Sequence, residues 1–481
     1  MLLYLYFIIL FCLLFLFCLN IKYIRIISFY FSLCFFLFSL FLLFFFDNFT
    51  ETFQFQFFLF WNDYLNIYYS FGIDGISLFL ILLTTFLTPL CLLLSWSNIS
   101  YRLKEFVLCI IFTEFFLLHV FTILDLFFFY VFFESILLPM FLIIGFWGSR
   151  QRKIHASYQF FLYTLLGSLL MLLAIIYIYI YVGSTDLATI ISYKFSDYTQ
   201  KLLWLCFFLS FAVKIPMIPV HIWLPEAHVE APTAGSVILA GLLLKMGGYA
   251  ILRFLIPLFK TASFYFIPLI LTMSIIAILY SSLTTIRQLD LKKIIAYSSV
   301  AHMNYVTIGA FSYNIFGLHG CLYLMLSHGF VSSALFICVG IIYDRYKSRL
   351  VRYYGGLTQL MPSLAFFFFI FSLANMSFPG TSSFIGEFFV LLASFEISPL
   401  VCFYACFGMI LNGVYVIWLF NRIFFGILNC KNILFFSDIN KREFCILTSL
   451  FFFVIILGIF PNSILKTNNF IIHLLIENIL I

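Results

Sequence analysis

A helix that crosses a membrane needs about 20 mostly apolar residues, and this sequence supplies such runs one after another. Fourteen can be drawn, numbered here as spans 1–14: 2–20, 27–46, 73–96, 106–124, 126–147, 156–182, 202–225, 233–256, 263–284, 293–312, 317–343, 364–393, 399–427 and 443–461. Short polar breaks separate them, which leaves no room for an inserted soluble domain. The chain is 65% hydrophobic and 9% charged, with a mean hydropathy of +1.16. Soluble domains carry about 25% charged residues, so a soluble enzyme, a disordered chain, collagen and a coiled coil are all excluded. The expected class is an all-α polytopic membrane protein with about 14 transmembrane helices.

The basic residues give the expected orientation. Of 25 Lys and Arg, eighteen fall in loops after odd-numbered spans, from Lys22 and Arg25 through Arg150, Arg152 and Lys153 to Lys431, Lys441 and Arg442. Lys194, Lys201, Arg253, Lys260 and Lys466 fall on the other side, and Lys214 and Lys245 lie inside spans. The positive-inside rule puts the odd loops on the cytoplasmic or matrix face and both termini opposite. The first twenty residues lack a basic region and a cleavage site, and are expected to be a retained span. Residues 52–69 alternate around Asn62-Asp63 and predict an external hairpin. The stretch from Asn462 onward, with Lys466, His473 and Glu477, predicts an interfacial amphipathic helix. Twelve cysteines, with no Cys-x-x-Cys, read as small hydrophobes rather than disulfide or cluster ligands. The 71 Phe and 29 Tyr, against 23 Gly and 12 Pro, suit an A/T-biased organellar genome.

A charge in the hydrocarbon core costs roughly 2.5–3.5 kcal/mol, so each one needs a reason. Glu114, Glu134, Lys214, Lys245, His302, His328 and Glu387 fall in spans 4, 5, 7, 8, 10, 11 and 12. Acids, bases and imidazoles near mid-depth in neighbouring spans are what a proton relay requires. Lys214 precedes Pro216, Pro219 and Pro225, which should break span 7. Pro379-Gly380, before Glu387, should interrupt span 12 in the same way. Paired broken helices point to a transport site built from inverted repeats, here spans 4–8 and 9–13, with Lys214 and Glu387 in equivalent roles. The domain reading is 1–105 for spans 1–3 with the hairpin, 106–262 and 263–427 for the two five-helix repeats, and 428–481 for the last span and tail. A carboxylate close to a buried lysine favours its charged form and withdrawal favours release. Glu134 and Lys214 are therefore expected to act as a coupled switch, with Lys245 and His302 carrying the proton laterally to Glu387. Moving a charge through the membrane field costs about 2.3 kcal/mol per 100 mV, which a partner or an opposing gradient must supply.

Other features read more simply. Asp74, His119 and Asp125 sit near span ends, and IRQLDLKKII (286–295) reads as a solvated face. His221, Glu226, His228 and Glu230 read as a wet polar entrance rather than a metal site, because Pro225 and Pro232 interrupt the helix that would carry the ligands. No Walker A sequence, G-x-G-x-x-G or haem-type histidine pair is present, so nucleotide hydrolysis and direct electron transfer have no residues to perform them.

Four stretches carry a resemblance: LDLFFFYVFFESILLPMFLIIGFWGSRQRKI (124–154), WLPEAHVEAPTAGSVILAGLLLKMGGYAILRF (223–254), LDLKKIIAYSSVAHMN (289–304) and SFPGTSSFIGEF (377–388). They resemble the antiporter-like membrane-arm subunits of mitochondrial NADH–ubiquinone oxidoreductase, respiratory complex I, and the likeness runs from about residue 70 to about 425. It implies fourteen spans with inverted repeats, a Glu–Lys pair at Glu134 and Lys214, a central lysine at Lys245 and a terminal acid at Glu387. His302 and His328 match polar members of the central chain. It also implies a proton-translocating role in the mitochondrial inner membrane, driven by electron transfer in neighbouring subunits that hold NADH, FMN, iron–sulfur clusters and ubiquinone. The partners implied are other complex I subunits, especially neighbouring antiporter-like chains, together with lipid and no nucleic acid. This chain is expected to bind no cofactor or metal. A stand-alone cation/proton antiporter is the alternative, and a purely structural membrane spacer is a third reading.

Overall fold

The computed structural model describes residues 2–18, 20–50, 52–62, 65–428 and 437–480; Asp63 and Lys431 lie outside them. Among these, ten helices are long and apolar enough to cross a membrane, at spans 2–6, 8, 9, 11, 13 and 14. The other four expected spans are helical too, but each is shorter, more polar or interrupted. Span 1 is Leu2–Cys18. Span 10, Leu291–Ala310, carries two lysines, His302 and Asn304. Span 7 is Asp197–Lys214 followed, after a break, by Trp223–Glu230. Span 12 is Pro362–Asn375 and then Ser382–Ile397.

Proline explains the breaks. Pro216 has no N–H and its ring crowds the preceding turn, so the span 7 helix ends at Lys214, and the freed Val213 carbonyl accepts from the Trp223 indole at 2.9 Å. In span 12 the chain turns through Gly380 at φ +90°, and the Ser383 hydroxyl donates to the Ala374 carbonyl. Pro139 likewise divides span 5 into Leu126–Ser135 and Leu137–Trp147, which places Glu134 at a kink. Span 8, Thr233–Leu258, stays continuous but opens into two π-turns, Leu239–Leu243 and Ile251–Leu255.

Spans 8 and 11 are buried along their lengths, whereas spans 2, 6, 13 and 14 expose most of their apolar surface. The two repeats show themselves at a tripeptide, Leu-Asp-Leu, at 124–126 and again at 289–291. Each pairs by an antiparallel bridge with the segment just after the third span of its repeat: Asp125 opposite Asp186, and Asp290 opposite Leu350. The bonds match: Leu126 N–H donates to Thr185 O and Leu187 N–H to Leu124 O, while Leu291 N–H donates to Arg349 O and Val351 N–H to Leu289 O. Five spans separate the two tripeptides, so the twin bridges face opposite sides. The repeats are inverted.

The expected hairpin is present as β1 (Gln54–Asn62) and β2 (Ile67–Ile73), antiparallel with Phe57 opposite Phe71 and Phe60 opposite Tyr68. The tail forms a helix, Asn462–Leu480. Its buried side chains, Ile464, Thr467, Asn468, Ile471, Ile472 and Leu475, recur at helical spacing, while Lys466, His473 and Glu477 face outward. That face packs on spans 3 and 11.

Not every basic residue of the expected solvated face is solvated. Lys292 is 2% exposed and donates to the Ala231 carbonyl at 2.7 Å, because the first turn of span 10 points it inward. Arg349 is fully buried and bonds the Val229 carbonyl and the Ser149 hydroxyl. At the opposite end, Asp74 caps span 3 through the Ser77 N–H at 3.0 Å and also forms a buried ion pair with Arg253. Removing one partner of a buried pair strands the other charge and costs about 3–5 kcal/mol, whereas replacing both costs far less. Asp74→Leu should therefore lower the thermal unfolding temperature clearly, and Asp74→Leu with Arg253→Met should recover most of the loss, as read by a melting curve of the purified protein.

Candidate functional site

Lys214 is the last residue before the break in span 7 and is 2% exposed. Its ammonium sits 4.5 Å from the centroid of the Phe133 ring, an attractive cation–π geometry, and Nζ has no hydrogen-bond partner among the described residues. Glu134 follows Phe133 at the kink of span 5, within electrostatic range of Lys214 and within reach of Ser168. The two expected switch residues are thus within electrostatic range of each other without forming a contact ion pair.

Lys245 lies where the first π-turn of span 8 ends. A π-turn widens the helix and is frequent at functional positions. Here the Lys245 ammonium donates to the Ala240 carbonyl at 2.6 Å and lies 2.9 Å from Nδ1 of His328 on span 11. The His328 and His302 rings have centroids 5.7 Å apart. His302 Nδ1 is 2.8 Å from Oε1 of Glu387. Lys245, His328, His302 and Glu387 therefore form one row through spans 8, 11, 10 and 12, each member under 5% exposed.

Glycines bring these elements together. A Cβ on Gly247 would fall 2.5 Å from the Ile215 side chain, beside Lys214, so span 8 presses directly on the break of span 7. A Cβ on Gly386 would fall 2.9 Å from the Leu324 N. That close approach of spans 11 and 12 sets Glu387 against His302.

Glu114 stands apart on span 4, fully buried, its Oε1 accepting from Thr88 at 3.0 Å. The expected entrance cluster is not wet. His228 and Glu230 are almost fully buried, and the His228 ring stacks on Phe336 at 4.7 Å. Both His228 nitrogens lack partners among the described residues, and the ring lies within electrostatic range of Lys245 and Lys292. Sequence reading placed His228 in a loop, whereas the helix Trp223–Glu230 carries it inward. The apolar residues Leu224 and Ala231, four before it and three after it, held that signal. Glu226 instead pairs with Lys293 at 2.9 Å near the surface. Among the described residues no three His, Cys, Asp or Glu side chains converge as a metal site.

Residues 124–412 match the sequence pattern of the family described as NADH:quinone oxidoreductase/Mrp antiporter, transmembrane. NADH-ubiquinone oxidoreductase chain 4 of Chondrus crispus is 59% identical over 435 residues, covering 90% of this chain and 88% of that one. The protein of the same name from Arabidopsis thaliana is 58% identical, covering 93% and 90%. Among solved structures, a chain of respiratory complex I from Thermus thermophilus with bound NADH superposes with a TM-score of 0.89 at 27% identity, covering 99% of both chains. A chain of the Mrp complex from Dietzia shares the fold, with a TM-score of 0.76 at 20% identity over 86% and 87%.

Groups that act as one unit are non-additive when removed together, whereas distant ones add. His302→Leu combined with Glu387→Gln should therefore slow proton transport no more than the worse single change. Glu114→Gln combined with Glu387→Gln should slow it by the product of the two. Transport rates of the two double-variant cycles check this.

Proposed function

The chain belongs to the NADH:quinone oxidoreductase/Mrp antiporter transmembrane family, and on that premise we propose that it is a proton-translocating membrane-arm subunit of respiratory complex I. As such it is part of an H+-translocating NADH:ubiquinone reductase. The observation that carries this reading is the contact row from Lys245 through His328 and His302 to Glu387.

In this reading Lys214 holds a proton while the Glu134 carboxylate is near and ionised, and releases it when Glu134 is neutralised or withdrawn. Lys245 receives charge at the centre of the chain and shares it with His328. His302 passes a proton from Nδ1 to the Glu387 carboxylate, which delivers it to the far side. Glu114, held by Thr88, is a further buried acid of the first repeat outside the row. The membrane field opposes each charge by about 2.3 kcal/mol per 100 mV, and electron transfer from NADH to ubiquinone in other subunits drives the cycle. The NADH site, FMN, iron–sulfur clusters and ubiquinone belong to those subunits. The repeats at 106–262 and 263–427 form the two half-channels. Flanking antiporter-like chains and lipid are the immediate partners. The location is the mitochondrial inner membrane, with basic loops toward the matrix and both termini toward the intermembrane space.

The alternative, a stand-alone cation/proton antiporter, draws on the fold shared with the Mrp chain. The relatives at 58–59% identity favour the redox-driven complex. Lys214→Met and Glu387→Gln in the assembled complex should each lower NADH-driven proton movement at least about tenfold, about 1.4 kcal/mol, while the complex still migrates at full size. Unaltered pumping would leave only a spacer role, and sodium-dependent proton movement without NADH would establish the alternative.

A further inference from the structure

His302 has a second neighbour that the relay does not use. Asn412, on span 13, donates from Nδ2 to the Asn375 carbonyl at 2.8 Å, and the same nitrogen lies 3.5 Å from His302 Nε2. A carbonyl only accepts, so the Asn375 bond fixes which end of the amide faces the ring. It is the N–H end. The Asn412 Oδ1 is buried with no partner among the described residues. Asn412 also holds the register in the second repeat that Lys245 holds in the first. Gly241 and three residues precede Lys245, and Gly408 and three residues precede Asn412. Each of these side chains reaches one histidine of the row and one carbonyl freed at an irregular turn.

We propose that Asn412 is a positioning residue that keeps His302 Nε2 bare and so aims the Nδ1 proton at Glu387. A second proton on Nε2 would oppose the Asn412 N–H. To accept it, the amide must turn, present Oδ1 and give up the Asn375 bond. The doubly protonated ring is thus the costly state, and it discharges. The N–H bond at Nδ1 breaks, an O–H bond forms on Glu387, the carboxylate becomes neutral, and the ring is left neutral with its remaining proton on Nε2, which must move to Nδ1 before the Asn412 N–H faces a bare nitrogen again. The groups facing His302 are Glu387 from span 12 and His328 from span 11 with Lys245 of span 8 behind it, and Tyr415 of span 13 lies within electrostatic range of Glu387. His228 from span 7 is within range of His328, and span 9 has no charged residue before Arg287.

This inference rests on the proton-translocating reading above, and it is tested in the intact complex. NADH-driven proton movement is measured against pH for Asn412→Asp, Asn412→Ser and, in parallel, Lys214→Met. Both Asn412 changes remove the N–H that disfavours the charged ring, and the carboxylate also attracts it. The pH optimum should move upward in both, by about one unit for Asn412→Asp and by less for Asn412→Ser. A residue that merely packs would lower the rate with the optimum in place. If either assembled variant keeps the normal optimum while Lys214→Met stops pumping, the role of Asn412 is overturned and the parent reading stands. If Lys214→Met also pumps normally, the parent reading falls with it.

Discussion

In hydrocarbon, every polar backbone group must find a partner inside the protein and every charge must be covered. The irregular backbone of this chain and its ionisable row are one construction that answers both demands. Where a helix breaks or widens, a carbonyl is released, and a side chain collects it. Val213 is met by the Trp223 indole, Ala240 by Lys245, Ala374 by Ser383 and Asn375 by Asn412. Two of those four donors also touch the histidines of the row. Straightening span 8 or 12 would therefore strand these side chains, and removing them would strand the carbonyls.

Much of this was legible in the sequence. Proline and glycine announce the breaks in spans 7 and 12 because their effect is local and steric. The hairpin showed in the alternation of 54–62, and the tail helix in its period. The π-turns of span 8 were not visible, since residues 239–243, Leu-Ala-Gly-Leu-Leu, favour an ordinary helix, and the wider turn appears only where this segment packs against spans 3 and 11. Lys292 was read as solvated because composition cannot tell an inward first turn from an outward one. The equivalence expected for Lys214 and Glu387 also shifts. Lys214 ends the half-helix before its break, and Glu387 lies within the half-helix after its own, so the residue placed like Lys214 is Asn375. The sign of the repeat lay in the two Leu-Asp-Leu tripeptides, whose importance depends on bridges that form only in three dimensions.

The row is continuous from Lys245 to Glu387, while Lys214 stands one step outside it. No hydrogen bond joins Lys214 to Lys245 among the described residues, but Gly247 presses on Ile215, the first residue of the break. A packed interior transmits displacement because it has no slack. Movement of the span 7 break must therefore move the middle of span 8, and with it the distance from Lys214 to the row. Glu134 sits at a kink of its own, next to Phe133. The breaks of spans 5 and 7 thus meet at Phe133 and Lys214, and span 7 in turn meets span 8 at Ile215 and Gly247.

The two halves repeat a backbone but not a chemistry. In the first repeat, the position before the break and the position in the following span are lysines, Lys214 and Lys245. In the second, the corresponding positions are Asn375 and Asn412, and the ionisable group is the acid Glu387. A symmetric frame with two lysines in each half would present the same attraction for a proton from either end. In the proposed relay, Lys245 at one end of the row and Glu387 at the other would give it a direction, from a donor that holds protons as a cation to an acceptor that holds them as a neutral acid. Amides at the vacated lysine positions keep the freed carbonyls bonded without adding a positive charge that would hold Glu387 ionised. On the proposed function the repeated backbone would supply the pathway, and the difference between lysine and asparagine at matched positions its polarity.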